Sequence, residues 1–159
     1  MADDVPMSQS THASKIVTAL PQKVWQAFMD PAILVEWLPP ADMTGRIHEF
    51  DGRVGGGYRM SLFYPATERM PRGKTAERED MVSVRFVELV PPHRIVQAVT
   101  FHTTDPGLQG EMTLVVTLSE VADGTEVTIA CTDLPQGLRA EDNEAGSRES
   151  LEKLAKRFG

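Results

Sequence analysis

The side chains of this chain most able to do chemistry are four histidines, His12, His48, His93 and His102, and one cysteine, Cys131. None of the histidines has a partner four residues away, the spacing that sets two imidazoles on one face of a helix. A single thiol cannot complete a zinc set. Cys131 falls on the apolar side of an alternating run, which makes it a small core residue or part of a cavity wall. A reactive thiolate would need a basic neighbour beside it. No metal site is therefore expected. Arg72-Gly73-Lys74-Thr75 has the ending of a phosphate-binding loop. The full pattern requires glycine at position 68, where Glu68 stands, and no apolar strand leads into it, so a solvated loop is expected. Gly55-Gly56-Gly57 precedes a strand rather than a helix, which suits a bulge or tight turn and not an anion cradle. No G-x-S-x-G pattern is present for a serine hydrolase. Acid–base catalysis would fall to His102 or Glu111, and either would have to face an interior. Nothing in the sequence implies a cofactor.

Whatever chemistry exists must be positioned by elements that the apolar periodicity outlines. His12 to Leu20 reads as a strand. Pro21 suits the first turn of a short helix carrying Val24, Trp25, Ala27, Phe28 and Met29. Asp30 can cap a second helix that starts at Pro31, carries Ile33, Leu34, Trp37 and Leu38, and stops at Pro39-Pro40. The period then shifts toward two. Arg46 to Phe50, Tyr58 to Tyr64, Met81 to Val90, Arg94 to His102 and Met112 to Leu118 read as strands, with Val127, Ile129 and Cys131 on a sixth. Asp123-Gly124 between the last two is a hairpin signal. That turn places Val127, Ile129 and Cys131 on the same interior side as Met112, Leu114 and Val116, with Glu126, Thr128 and Thr113 on the wetter side. Thr67 to Asp80 reads as a mobile charged loop, with gating of an interior space as the alternative. Leu151, Leu154 and Phe158 form the stripe of a closing helix, about 27 Å long if it begins near Glu141. Strand, two short helices, six strands and a long helix together indicate an α+β domain with an antiparallel sheet.

The balance of 16 Lys and Arg against 23 Asp and Glu gives a net charge of −7. Phosphate backbones and anionic membrane surfaces are poor partners for such a surface. One cysteine permits no internal disulfide and suits a reducing compartment. Residues 1–11 read as a polar tail without the basic and apolar segments of a signal peptide, so a cytoplasmic location is expected. Residues 12–159 form one domain, with 41% hydrophobic residues to fill a core.

Several segments, taken in order, resemble the activator of Hsp90 ATPase homologue 1-like group of the START/Bet v 1-like superfamily, also called SRPBCC or polyketide cyclase-like. They are Pro21 to Phe28 with Asp30-Pro31, Trp37-Leu38-Pro39-Pro40, Ile47 to Asp51, Gly55 to Met60, Val87 to Val96, and Asp142 to Gly146 with Ser150 to Ala155. The resemblance implies a helix-grip fold: a curved antiparallel sheet of six to seven strands wrapped around the long last helix, with a cavity between them. Many members carry Trp after the glycine of that helix. Here Ser147 follows Gly146, a departure expected to enlarge the cavity. The family shares no catalytic residues, so none is carried over.

The expected function is binding of an apolar or aromatic small molecule in that cavity, by a monomer or homodimer with no cofactor, nucleic acid or membrane partner. The expected lining is Trp37, Tyr58, Met60, Leu62, Tyr64, Met112, Leu114, Ile129, Cys131, Ser147 and Leu151. Two alternatives belong to other classes: a cyclase- or hydratase-like enzyme using the same cavity, and a chaperone-interacting module implied by the family name. The eukaryotic activator has a separate domain ahead of the one resembled, and the first strand here begins near His12. Strong stimulation of a chaperone ATPase is accordingly not expected.

Overall fold

The computed structural model describes residues 9–65 and 79–159. The charged segment from Thr67, including Arg72-Gly73-Lys74-Thr75, lies outside the described residues except for its last two positions. After β1 (Thr11–Val17), two short helices α1 (Pro21–Met29) and α2 (Pro31–Trp37) meet at Asp30. That one residue ends the first helix and starts the second. Its backbone N–H bonds the Gln26 carbonyl, and its carboxylate accepts the Ala32 N–H at 3.0 Å. Pro31 needs no N–H partner in the first turn. Pro39 and Pro40 have no N–H to extend α2, which stops before them.

Six strands follow: β2 (Thr44–His48), β3 (Gly57–Phe63), β4 (Glu79–Val90), β5 (Arg94–Phe101), β6 (Glu111–Val121) and β7 (Gly124–Thr132). The sheet has the order β1-β7-β6-β5-β4-β3-β2, and every neighbouring pair is antiparallel. β1 and β2 form its edges, and the two short helices span the gap between them. A bulge between Phe86 and Glu88 disturbs the β4–β5 register, and such an extra residue bends and twists a strand. It contributes to the curl of the sheet.

The β6–β7 hairpin turns one residue earlier than the Asp123-Gly124 signal suggested. Val121 pairs with Gly124, leaving Ala122 and Asp123 as the loop. Glycine is required at 124 because a Cβ there would lie 2.1 Å from the Val17 carbonyl oxygen on β1. The expected facing holds. Val127, Ile129, Cys131, Met112 and Val116 are buried and Leu114 is half-buried, while Glu126 is exposed and Thr113 and Thr128 are intermediate.

The closing helix α3 (Ala140–Arg157) has 18 residues, about 27 Å at 1.5 Å per residue. Leu151 and Leu154 are buried. β1 and the residue after it fasten the two ends of the helix: Thr11 Oγ1 donates to Asn143 Oδ1 at 2.6 Å, and Thr18 Oγ1 donates at 3.0 Å to the carbonyl of Phe158, just past the helix. The end of α2 fastens its outer side. Ser150 Oγ donates to the Leu38 carbonyl at 2.6 Å, Lys153 Nζ donates to the Pro39 carbonyl, and Arg157 pairs with Glu36. The helix is thus clamped along its length against a curled, seven-stranded sheet, the helix-grip arrangement.

Candidate functional site: an interior cavity

Away from β1, the concave face of the sheet and the first half of α3 stand apart. Between them lies a cavity of about 460 Å³. Its walls are the inward side chains of five strands. Tyr58, Met60 and Leu62 come from β3, with Tyr64 just beyond it; Val82 and Val84 come from β4; Val99 and Phe101 come from β5. Met112, Leu114 and Val116 belong to β6, and Ile129 to β7. Phe28 from α1, with Leu34 from α2 and Leu38 after it, adds apolar surface. Asn143, Gly146, Ser147 and Ser150 form the helix side. Arg139 and Asp142, both exposed, stand with Pro40 and Gly137 where the cavity reaches the surface.

Eight of the residues expected from sequence come together here: Tyr58, Met60, Leu62, Tyr64, Met112, Leu114, Ile129 and Ser147. The structure places the other three off the cavity wall. The Trp37 indole N–H donates to the Ala27 carbonyl at 3.0 Å, and its ring meets Phe28 edge-on at 4.8 Å. These contacts turn it into the core at the α1–α2 junction rather than toward an opening. Cys131 is buried beside Thr11 and Asn143, and burial pushes its thiol above the ordinary range. It is therefore a protonated core thiol. Leu151 lies one turn beyond Ser147 and packs into the core cluster.

The two acid–base candidates also stand outside the cavity. His102 is exposed and bonds Ser83 Oγ. Glu111 is exposed and pairs with Arg85 at 3.3 Å. His48 Nε2 bonds Ser61 Oγ at 3.0 Å, and His12 and His93 are exposed. Among the described residues no group of three His, Cys, Asp or Glu side chains is placed to hold a metal ion. The glycine triplet has a steric purpose. A Cβ on Gly57 would lie 1.8 Å from the Val84 carbonyl oxygen, and the Gly56 carbonyl accepts the Phe86 N–H. No described helix is long and apolar enough to cross a membrane.

Sequence reasoning missed one inward polar group of the sheet, besides Asn143 and Ser150 on the helix. Gln97 occupies the inward parity of β5, between Ile95 and Val99, and is 7% exposed. The Tyr58 hydroxyl, also buried, lies against it. Burial pushes the Tyr58 pKa up, while the Gln97 side chain draws it the other way. Burial dominates, so the phenol stays neutral. A glutamine on the apolar parity of a strand was the available signal. Sequence reading also missed the contribution of Phe28, Leu34 and Leu38, because helix faces three and four residues apart do not reveal what they face.

Protein CV1439 from Chromobacterium violaceum has the same fold with a TM-score of 0.82, is 30% identical, and aligns over 94% of this chain and 96% of its own. Protein Mll3558 from Rhizobium loti gives a TM-score of 0.70 at 25% identity, over 94% of this chain and 96% of its own. A Rhodobacter sphaeroides protein gives 0.73 at 22% identity, over 93% and 90%. No curated protein matches the chain significantly by sequence. Residues 18–159 match the family described as activator of Hsp90 ATPase homolog 1-like protein. With a curled seven-stranded sheet gripping α3, a cavity beneath that helix and a family match over nearly its whole length, the chain belongs to the activator of Hsp90 ATPase homolog 1-like family.

Proposed function

We propose that this protein binds an apolar or aromatic small molecule in the cavity beneath α3. The observation that carries the reading is the space itself, about 460 Å³ walled mainly by Val, Leu, Ile, Met and Phe side chains. Protein interiors are otherwise packed to the density of organic crystals. Side chains lining a void lose the contacts that packing would give them. An occupant restores those contacts, and hydrophobic walls with a few polar groups are the usual composition of such sites. The reading favours a container over a catalyst because His102 and Glu111 lie outside the cavity. The net charge of −7 and the lone buried Cys131 support a small-molecule partner and a cytoplasmic setting.

The test is a thermal-shift screen of flat aromatics, fatty acids and polyketide-like compounds. A true ligand at one hundred times its Kd stabilises the folded state by about 2.7 kcal/mol, a rise of several degrees in a domain this size. Clear shifters are expected. A screen in which no compound raises Tm overturns the container.

A further inference from the structure

We infer that Tyr58 and Gln97 select the ligand: it carries a neutral carbonyl oxygen and buries it against this pair, deep in the cavity. The inference rests on the container reading and adds the chemistry of its occupant.

Four observations lead there. Tyr58 and Gln97 are more than nine-tenths buried, and both line the cavity. They stand on β3 and β5, either side of β4, among the apolar lining residues Met60, Val82, Val84, Val99 and Leu114. Among the described residues, no fully enclosed side-chain nitrogen or oxygen lacks a hydrogen-bond partner. Tyr58 and Gln97 both line the cavity, so bonding capacity that they do not spend on each other or on the wall is presented to an occupant. Finally, Arg139 and Asp142, the charged residues of the lining, are exposed at the surface end.

Donor capacity is left over in either arrangement, beside lone pairs on the amide and phenol oxygens. A glutamine amide carries two N–H donors and a phenol one O–H. If the phenol donates to the amide oxygen, both amide N–H groups remain. If the amide donates to the phenol, one N–H and the O–H remain. Either arrangement leaves an N–H or O–H donor facing the cavity, from which a carbonyl oxygen can accept. Burial holds the phenol neutral, so the pair presents no positive charge. A carboxylate pressed against it would lose its water without gaining a counter-ion, which is costly. A ketone, quinone or amide carbonyl meets the donors without that loss.

Four size-matched probes separate the possibilities: fluorene, 9-fluorenone, 9-fluorenol and fluorene-9-carboxylate, titrated against the wild-type protein by calorimetry. Fluorenone is expected to bind about tenfold more tightly than fluorene, as one or two net hydrogen bonds would give. Partitioning from water would give the opposite order, because the ketone is the more polar molecule. Fluorenol should fall between them and the carboxylate should bind worst. Tyr58→Phe and Gln97→Met should each shrink the ratio of fluorenone to fluorene affinity, whatever either substitution does to the affinity for both compounds. Fluorene binding as tightly as fluorenone overturns the inference and leaves the container standing. So does a carboxylate that binds best, which would put the polar end at Arg139. A preference for fluorenone that survives both variants also overturns it. If none of the four binds, this inference fails along with its premise for flat aromatics, whereas fatty-acid shifters in the thermal screen would keep the container alone.

Discussion

The two halves of α3 present one continuous stripe to the sheet and do opposite things with it. In the first half the stripe is Asn143, Gly146 and Ser147, small or polar residues that line the cavity. In the second it is Leu151 and Leu154, 1% and 0% exposed, sunk in the core with Val17, Leu118 and Val127. Helix, clamps and sheet are shared, so backbone geometry alone does not make the cavity. It arises where the stripe loses side-chain volume while the opposing strands keep their inward residues. Ser150 marks the boundary, lining the cavity while its hydroxyl ties the helix to the Leu38 carbonyl.

The contrast breaks most visibly in stability. Leu154→Ala removes a fully buried side chain from the packed half and is expected to cost about 3 kcal/mol, lowering Tm by roughly 10 °C. Leu114→Ala, in the wall of the cavity, removes atoms that already face open space on one side. Its cost should be less than half as large, because fewer packing contacts are lost. Denaturant titration of both variants checks this. Equal losses would mean that the two halves are packed alike and that the cavity is filled by its own walls.

Ser147→Trp sharpens the comparison by giving the first half the bulk of the second. The indole should occupy the space beneath the helix. Ligand-induced shifts of about 2.7 kcal/mol at saturating compound should then vanish, while the unliganded protein keeps its far-ultraviolet spectrum and loses no more than about 1 kcal/mol. If Ser147→Trp instead unfolds the domain, as overpacking of a full core would, the space beneath the helix is not available to an occupant.

The same contrast explains what was legible beforehand. The strands and hairpins were readable because residues that alternate in type also alternate in facing, so Val127, Ile129 and Cys131 fell inward with Met112 and Val116. The Ala122-Asp123 loop was misread by one position because Gly124, the glycine of the signal, answers to the nearby Val17 carbonyl on another strand. A local pattern holds no record of that third strand. Within the site, facing was legible but depth was not. Cys131 shares the inward parity of Ile129, yet it is buried against Thr11 and Asn143 and is not part of the cavity wall. Trp37 was expected in the cavity lining. Its indole N–H instead found the Ala27 carbonyl ten residues earlier, a tertiary contact that spacing does not encode. Gln97 was the reverse case, visible as a polar residue in an apolar row but without meaning until Tyr58 was placed across β4 from it.

The smallest expected effect comes from Gly146, and it distinguishes two reasons for a small residue in the stripe. One is space for a ligand; the other is close approach of a neighbour. A Cβ at 146 would meet only Pro40, at 3.9 and 4.0 Å, which is ordinary contact. Nothing there forbids alanine, and glycine inside a helix costs up to about 1 kcal/mol relative to alanine. Gly146→Ala should therefore stabilise the protein by roughly 0.5–1 kcal/mol, raising Tm by a few degrees at most. The added methyl lies toward Pro40 at the cavity's edge and not across its width, so compounds that shift the wild-type protein should shift the variant equally. A Tm that rises while those shifts disappear would show that the ligand passes or rests against Pro40, and the tolerated bulk at 146 would then be a measure of how tightly it fits. A Tm that falls would mean that the Pro40 wall sits closer to the helix than ordinary contact allows, and that the loss of volume in the first half of α3 serves packing at 146 and a ligand only at Ser147.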